Sequence, residues 1–327
     1  MTLYKGIQGF SVQNLSADPT DPNEGQLWYN STSNVWKLTS ATTVGAWATG
    51  GNLSTARYLL AGAGTQNAGL AIGGNPYLTT TEEYSGTAWT GGGSLSDGRT
   101  GSAGLGIQTA AVTVGATSPL TGATEEYDGS AWTAGGNYPV SVFYFSGAGT
   151  QTAGIAMGGR DPAAVAVTGE YNGTSWTAGG NLGTGRANIG AAGTQTAALC
   201  IAGDPISSPP RISNATEEYD GSTWTAGGNL PASYNGKVGF GIQTLAISAA
   251  GNTADGGPQS TASDEYNGTS WTSTPSIPTA VVNLASSQSA PASLGAIFGG
   301  FNGTTQIATT QEWTGAGAPL TQTITVS

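Results

Sequence analysis

Carboxylates are the first residues in this sequence with chemistry to offer. Glu83, Glu126, Glu170, Glu218, Glu265 and Glu312 each stand immediately before an aromatic residue. Two carboxylates can cleave a glycosidic bond when one special pair is held at a set separation. Here no pair stands apart from the pattern. A residue that every repeat supplies serves the repeat, and these six are expected to accept structural hydrogen bonds. Histidine is absent, which excludes Ser-His-Asp and Cys-His nucleophiles and any histidine-held metal. No Asp-x-Asp-x-Asp-Gly calcium loop occurs. Arg57, Arg99 and Arg186 lie at equivalent places in different repeats, so they are not expected to converge on one substrate. A neighbouring Glu or loop carbonyl is their expected partner. Cys200 is the only cysteine and sits between Leu199 and Ile201, which reads as a buried, inert thiol. The expectation is therefore no enzyme, no catalytic set, no cofactor and no metal.

Composition narrows the classes further. Of 327 residues only 8% are charged, and the net charge is −11 with eight Lys and Arg in all. That supply of cations is too small to neutralise a phosphate backbone, so nucleic acid is not an expected partner. No apolar run reaches the length of a membrane-spanning helix. The opening Met1-Thr-Leu-Tyr-Lys-Gly lacks the apolar core of a signal peptide.

The elements that carry these residues come from a repeated phrase, Thr124-Glu-Glu-Tyr-Asp-Gly-Ser-Ala-Trp-Thr-Ala-Gly-Gly-Asn137. Tyr84, Tyr127, Tyr171, Tyr219 and Tyr266 each precede a Trp by five residues. Asp-Gly and Asn-Gly between them signal tight hairpins. With a two-residue turn at Asp128-Gly129, Tyr127 faces Ser130 and Trp132 faces Glu125, and both aromatics share one face of the sheet. Trp47, Trp89, Trp132, Trp176, Trp224 and Trp271 recur every 42 to 48 residues. Each unit reads as four strands, in the first case Arg57–Thr65, Ala68–Gly73, Thr80–Tyr84 and Ala88–Gly91.

Four strands per unit, a Gly-Gly after the second (Gly73-Gly74, Gly158-Gly159) and a Tyr/Trp hairpin at the end resemble the kelch repeat over residues 46–313. The resemblance implies an all-β, six-bladed propeller, occupying residues 46–327 behind an N-terminal segment of residues 1–45. The fourth strand at Ala46–Thr49 lacks a third strand of its own repeat, and Ile307–Trp313 lacks a fourth. Their pairing would close the ring, unless Leu320–Val326 supplies that strand instead. Small residues such as Ala61-Gly-Ala-Gly64 suit the crowded axis. Gln66, Gln108, Gln151, Gln195, Gln243 and Gln288 fall at the turn after each first strand. They either cap that turn or form an axial ring of amides that docks a symmetric partner.

Gln26–Leu38 reads as two strands around a polar turn at Asn30–Asn34. Its Gly-Gln-Leu-Trp-Tyr-Asn-Ser-Thr phrase resembles short segments of tailed-bacteriophage structural proteins. The resemblance implies a non-enzymatic virion protein, attached through residues 1–45 to other virion proteins in a symmetric assembly and meeting a host glycan or protein. A carbohydrate- or protein-binding propeller of a bacterial cell is the alternative. Repeat length varies mostly between the second and third strands, with long links at Asp204–Ala215 and Asn252–Ser263. Those links and their neighbours carry Arg160, Asp161, Asp204, Arg211 and Asp255 in a chain that otherwise avoids charge. Loops on a rigid scaffold are where binding residues collect, so these five are the candidate contacts.

Overall fold

The computed structural model describes residues 13–19, 26–41, 44–117, 120–206, 209, 211–316 and 319–324. No helix forms among them. Two compact units form, one of Ala46–Trp313 and one of Met1–Gly45 with Thr314–Ser327.

The larger unit holds six four-stranded antiparallel sheets. Sheets one to five are continuous in sequence, at residues 61–91, 103–134, 146–178, 190–226 and 238–274. The sixth orders Ala285–Ser286, Leu294–Phe298 and Thr310–Thr314, and then Ala46–Thr49 from the other end of the array. The expected closure by Ala46–Thr49 therefore forms. The first strands succeed one another as neighbours, and that of the sixth sheet lies between those of the fifth and the first. At the closest approach between them only glycine fits: a Cβ on Gly104 would stand 2.5 Å from the carbonyl oxygen of Gly62.

The hairpins depart from the expected register by two residues. Tyr127 pairs with Trp132, and Glu125 with Ala134. The reason lies in Asp128. A type I′ turn needs positive φ at both central residues, whereas only Gly129 has it here, at 91°. Asp128 instead accepts hydrogen bonds on Oδ1 from the amides of Ser130 and Ala131, both at 2.8 Å. The result is a four-residue loop closed by its own side chain. Tyr and Trp still share a face, now directly opposite, with ring centroids 4.8 Å apart.

The smaller unit is a sheet of its own, in the order Gln13–Leu15, Leu27–Asn30, Val35–Ala41 and Pro319–Ile324. The expected hairpin around Asn30–Asn34 is present, with Asn30 opposite Val35. Trp28 is fully buried, and its indole and the Asn30 amide both donate to Asp18. Lys37 pairs with the same carboxylate. These partners hold Asp18 below the usual carboxylate range, the Lys37 hydrogen bond first among them. The C-terminal strand corrects the expected boundary at residues 46–327. Pro319–Ile324 leaves the repeat array and pairs along Val35–Ala41, because the sixth sheet already has its fourth strand.

Candidate functional site

The recurring residues are consumed in joining sheets. The Tyr127 hydroxyl donates to Glu83 of the preceding sheet, and Tyr219 donates to Glu170. Tyr84 with Glu312, Tyr171 with Glu126 and Tyr266 with Glu218 repeat the bond. Burial first, and then the adjoining carboxylate, push Tyr84, Tyr127 and Tyr219 up to about 12. The Trp indoles donate backwards in the same way, Trp132 to Thr81 and Trp176 to Thr124. Five of the six glutamates thus have the structural part expected of them.

The glutamines do not make a free axial ring. Gln108, Gln151, Gln195 and Gln243 each donate Nε2 to two backbone carbonyls of the preceding sheet, and Gln66 bonds Gly295 and Trp313 in the sixth. An amide with both donor hydrogens engaged by its own chain offers no donor to a partner. Gln288, two residues early in its repeat, reaches Ser146 at 3.3 Å instead.

One junction lacks all three devices. Between the fifth and sixth sheets Trp313 replaces the tyrosine and donates to Ala292, so Glu265 receives no hydrogen bond from a described residue. The buried indole nitrogen of Trp47 has no partner among the described residues. Gln288 is turned away. Apolar packing takes over there: Trp47 packs against Trp313 and Phe240, beside Ile247, Leu284 and Ile297.

The arginines also stay within their sheets. Arg57, Arg99 and Arg186 are buried and pair with Glu82, Glu125 and Glu217, while Nη1 of each donates to link carbonyls such as Gly73 and Ala202. Cys200 is fully buried, and burial pushes its thiol up to about 11, as expected of an inert cysteine.

Antiparallel order puts every link between second and third strands at the end of the unit where each fourth strand hands over to the next sheet. Three of the five candidate residues meet there. Arg211 pairs with Asp204 of its own link at 2.8 Å and with Asp255 of the next at 3.2 Å. These contacts raise Arg211, with Asp204 the largest cause. Arg160 and Asp161 stand apart, in a two-stranded excursion with Ala163–Ala164. Arg160 lies over two rings, 5.2 Å from that of Phe143 and 5.5 Å from that of Tyr144. Tyr58 and Phe301 stack nearby at 5.7 Å. Burial raises Tyr144, Arg160 opposes that, and neighbouring Tyr58 and Tyr77 add to it.

The same end carries a feature with no sequence signal. Leu59, Gly101, Tyr144, Asn188, Gly236 and Asn283, one from each repeat, all have positive φ between 49° and 69°. Their backbones hydrogen-bond in series: Leu59 to Asn283, Gly101 to Leu59, Tyr144 to Gly101, Asn188 to Tyr144 and Gly236 to Asn188. Only two are glycine, so no glycine pattern could reveal them. This annulus opens into an axial cavity of about 80 Å³, bounded further along by Ser102, Ser146, Ser286 and Gln288. Ser102 Oγ and Gln288 Oε1 are buried without partners among the described residues.

Sheets of four antiparallel strands in radial succession define a β-propeller-like protein. The solved structure of YjhT is similar in fold, with a TM-score of 0.68 over 83% of this chain and 99% of that one, at 13% identity. No protein family and no curated protein matches the sequence.

Proposed function

We propose that this chain is a non-enzymatic binding protein of a tailed-phage virion, built as a six-bladed, kelch-like propeller. The end bearing the long links is its recognition face, and the N-terminal sheet is its attachment to other virion proteins. The observation that carries the recognition face is the pairing of Arg211 with Asp204 and Asp255. It ties two adjacent long links into one surface, which lowers the ordering cost when a partner is met. Five of the six regular glutamates and the three buried arginines are spent on structure, so variation is concentrated on this face. The Gly-Gln-Leu-Trp-Tyr-Asn-Ser-Thr phrase supports the virion assignment, and Trp28 and Asn30 within it form the centre of the small sheet.

The test is to replace Asp204–Ala215 and Asn252–Ser263 by the short Phe301–Thr305 link. The variant should fold and lose attachment to host cells. A folded variant that attaches normally overturns the recognition face. Mass spectrometry of purified particles should find the full chain, and its absence from them overturns the virion assignment.

A further inference from the structure

From the surroundings of Arg160 we infer a second binding element on this face: an aromatic cup for a carboxylate-bearing saccharide. The inference rests on the recognition face proposed above, but on different residues from those that carry it. Among the described residues Arg160 is the one cation without a carboxylate partner. Lys37, Arg57, Arg99, Arg186, Arg211 and Lys237 are all paired. A chain with so few cations leaves one unpaired at an aromatic site beside the axial mouth. Its guanidinium carbon lies 5.2 Å and 5.5 Å from the ring centres of Phe143 and Tyr144, and its buried Nε has no partner among the described residues, as is also true of Arg57 and Arg186. A guanidinium without a carboxylate of its own can meet one from a ligand through two parallel hydrogen bonds.

The rest of the cup selects the ligand class. Leu59 and Tyr144 both belong to the annulus, joined through Gly101, so Tyr58 of one repeat and Tyr144 of another border the same axial mouth. Tyr77 is 51% exposed, and Tyr58, Tyr144 and Phe301 are half-buried. Ring faces with phenolic edges suit a pyranose, whose C–H face packs on the ring while its hydroxyls reach the edge. Charge limits the ligand as well. At a net −11 the protein repels a dense polyanion, whereas an isolated carboxylate opposite Arg160 is neutralised locally. An oligosaccharide with one carboxylate per ring, each a full ring apart, fits both conditions better than an acidic peptide does.

The experiment uses the full chain with tetragalacturonate, maltotetraose and a glutamate-rich peptide as probes, followed by calorimetry and tyrosine fluorescence. Tetragalacturonate should bind at least tenfold more tightly than maltotetraose and weaken as salt rises. Arg160→Met should remove that preference and leave the weak neutral binding. Tyr77→Ala should weaken both sugars severalfold. Thermal unfolding of each variant establishes that it folds, and if Arg160→Met does not, the salt dependence and Tyr77→Ala decide. Equal binding of the two sugars, tighter binding of the peptide, unchanged affinity in folded Arg160→Met, or no binding by the wild type overturns the inference. Loss of host attachment on replacing the long links, with no saccharide bound by the wild type, leaves the recognition face standing and this inference refuted. Saccharide binding with attachment unaffected by that replacement has the opposite meaning.

Discussion

Neighbouring glutamates in one strand do two different jobs. Successive side chains in a strand point to opposite faces. Glu82 is buried against Arg57 while Glu83 reaches the next sheet's Tyr127. The doublets Glu82-Glu83, Glu125-Glu126 and Glu217-Glu218 look uniform in sequence, which is why the second row stood out and the arginine partners did not. The third sheet shows what happens when the pair is dispensed with. Val142 replaces the arginine and Gly169 the glutamate, and the Tyr138 ring occupies the position where a Cβ on Gly169 would fall. Arg99→Met alone should therefore cost about 3–5 kcal/mol, the effect of leaving a buried charge unpaired. Adding Glu125→Gln should recover more than half of that in urea unfolding. The tyrosines predict a pH limit. Tyr84, Tyr127 and Tyr219 are raised to about 12 by burial and then by Glu312, Glu83 and Glu170, against about 10 in the unfolded chain. A raised group contributes stability that is whole below the unfolded value and lost as pH climbs through the folded one. Melting temperature should hold steady up to about pH 10 and fall between about 10 and 12. Glu83→Gln should lower the Tyr127 midpoint in an ultraviolet titration.

At the scale of strands and turns, much was legible because periodicity reports packing. The four-strand unit and the shared face of Tyr and Trp follow from spacing and are present, and small residues fill first strands such as Ala61–Thr65 and Gly190–Thr194. The register of the hairpins was not legible. Asp-Gly is compatible with both a two-residue and a four-residue loop, and the choice rests on where the Asp side chain finds its donors. Asp128→Ala should loosen this loop, seen as faster amide exchange at Ser130 and Ala131. The glutamine clamps were half legible: position in the turn was evident, direction was not, because the carbonyls they reach belong to the preceding sheet. Gln151→Ala removes two such bonds, to Ala111 and Tyr127. It should cost about 1–3 kcal/mol, at roughly 0.5–1.5 per hydrogen bond. The same change at Gln288, which makes neither bond, should cost less.

At the scale of the whole molecule, stability is shared among junctions between neighbours, and one junction differs. Five are pinned by Tyr–Glu, Trp–Thr and Gln–carbonyl bonds; the one between the fifth and sixth sheets relies on Trp47, Trp313 and Phe240 packing. Sub-global opening should begin there. Native-state hydrogen exchange should find Thr310–Thr314 and Leu294–Phe298 exchanging at lower free energy than the matching strands of the third sheet. Uniform exchange across all six sheets would refute a weak junction. The annulus lay beyond sequence reasoning at this scale, because it arises from residues far apart in the chain that only ring closure brings near. Leu59 and Asn283 are one such pair.

Closure of the sixth sheet by Ala46–Thr49 also has a consequence during synthesis. Within the repeat array, translation delivers that strand ahead of every other and its partner, Thr310–Thr314, after all the rest. Until the ribosome has passed the final repeat, the early strand has no edge to join, and the nascent array carries an open flank of unpaired amides and carbonyls. Premature termination anywhere before Thr310 leaves that flank permanently open. Stalled chains of increasing length should therefore remain protease-sensitive at Ala46–Thr49 through five complete repeats and become resistant in one step, only when Thr314 has emerged.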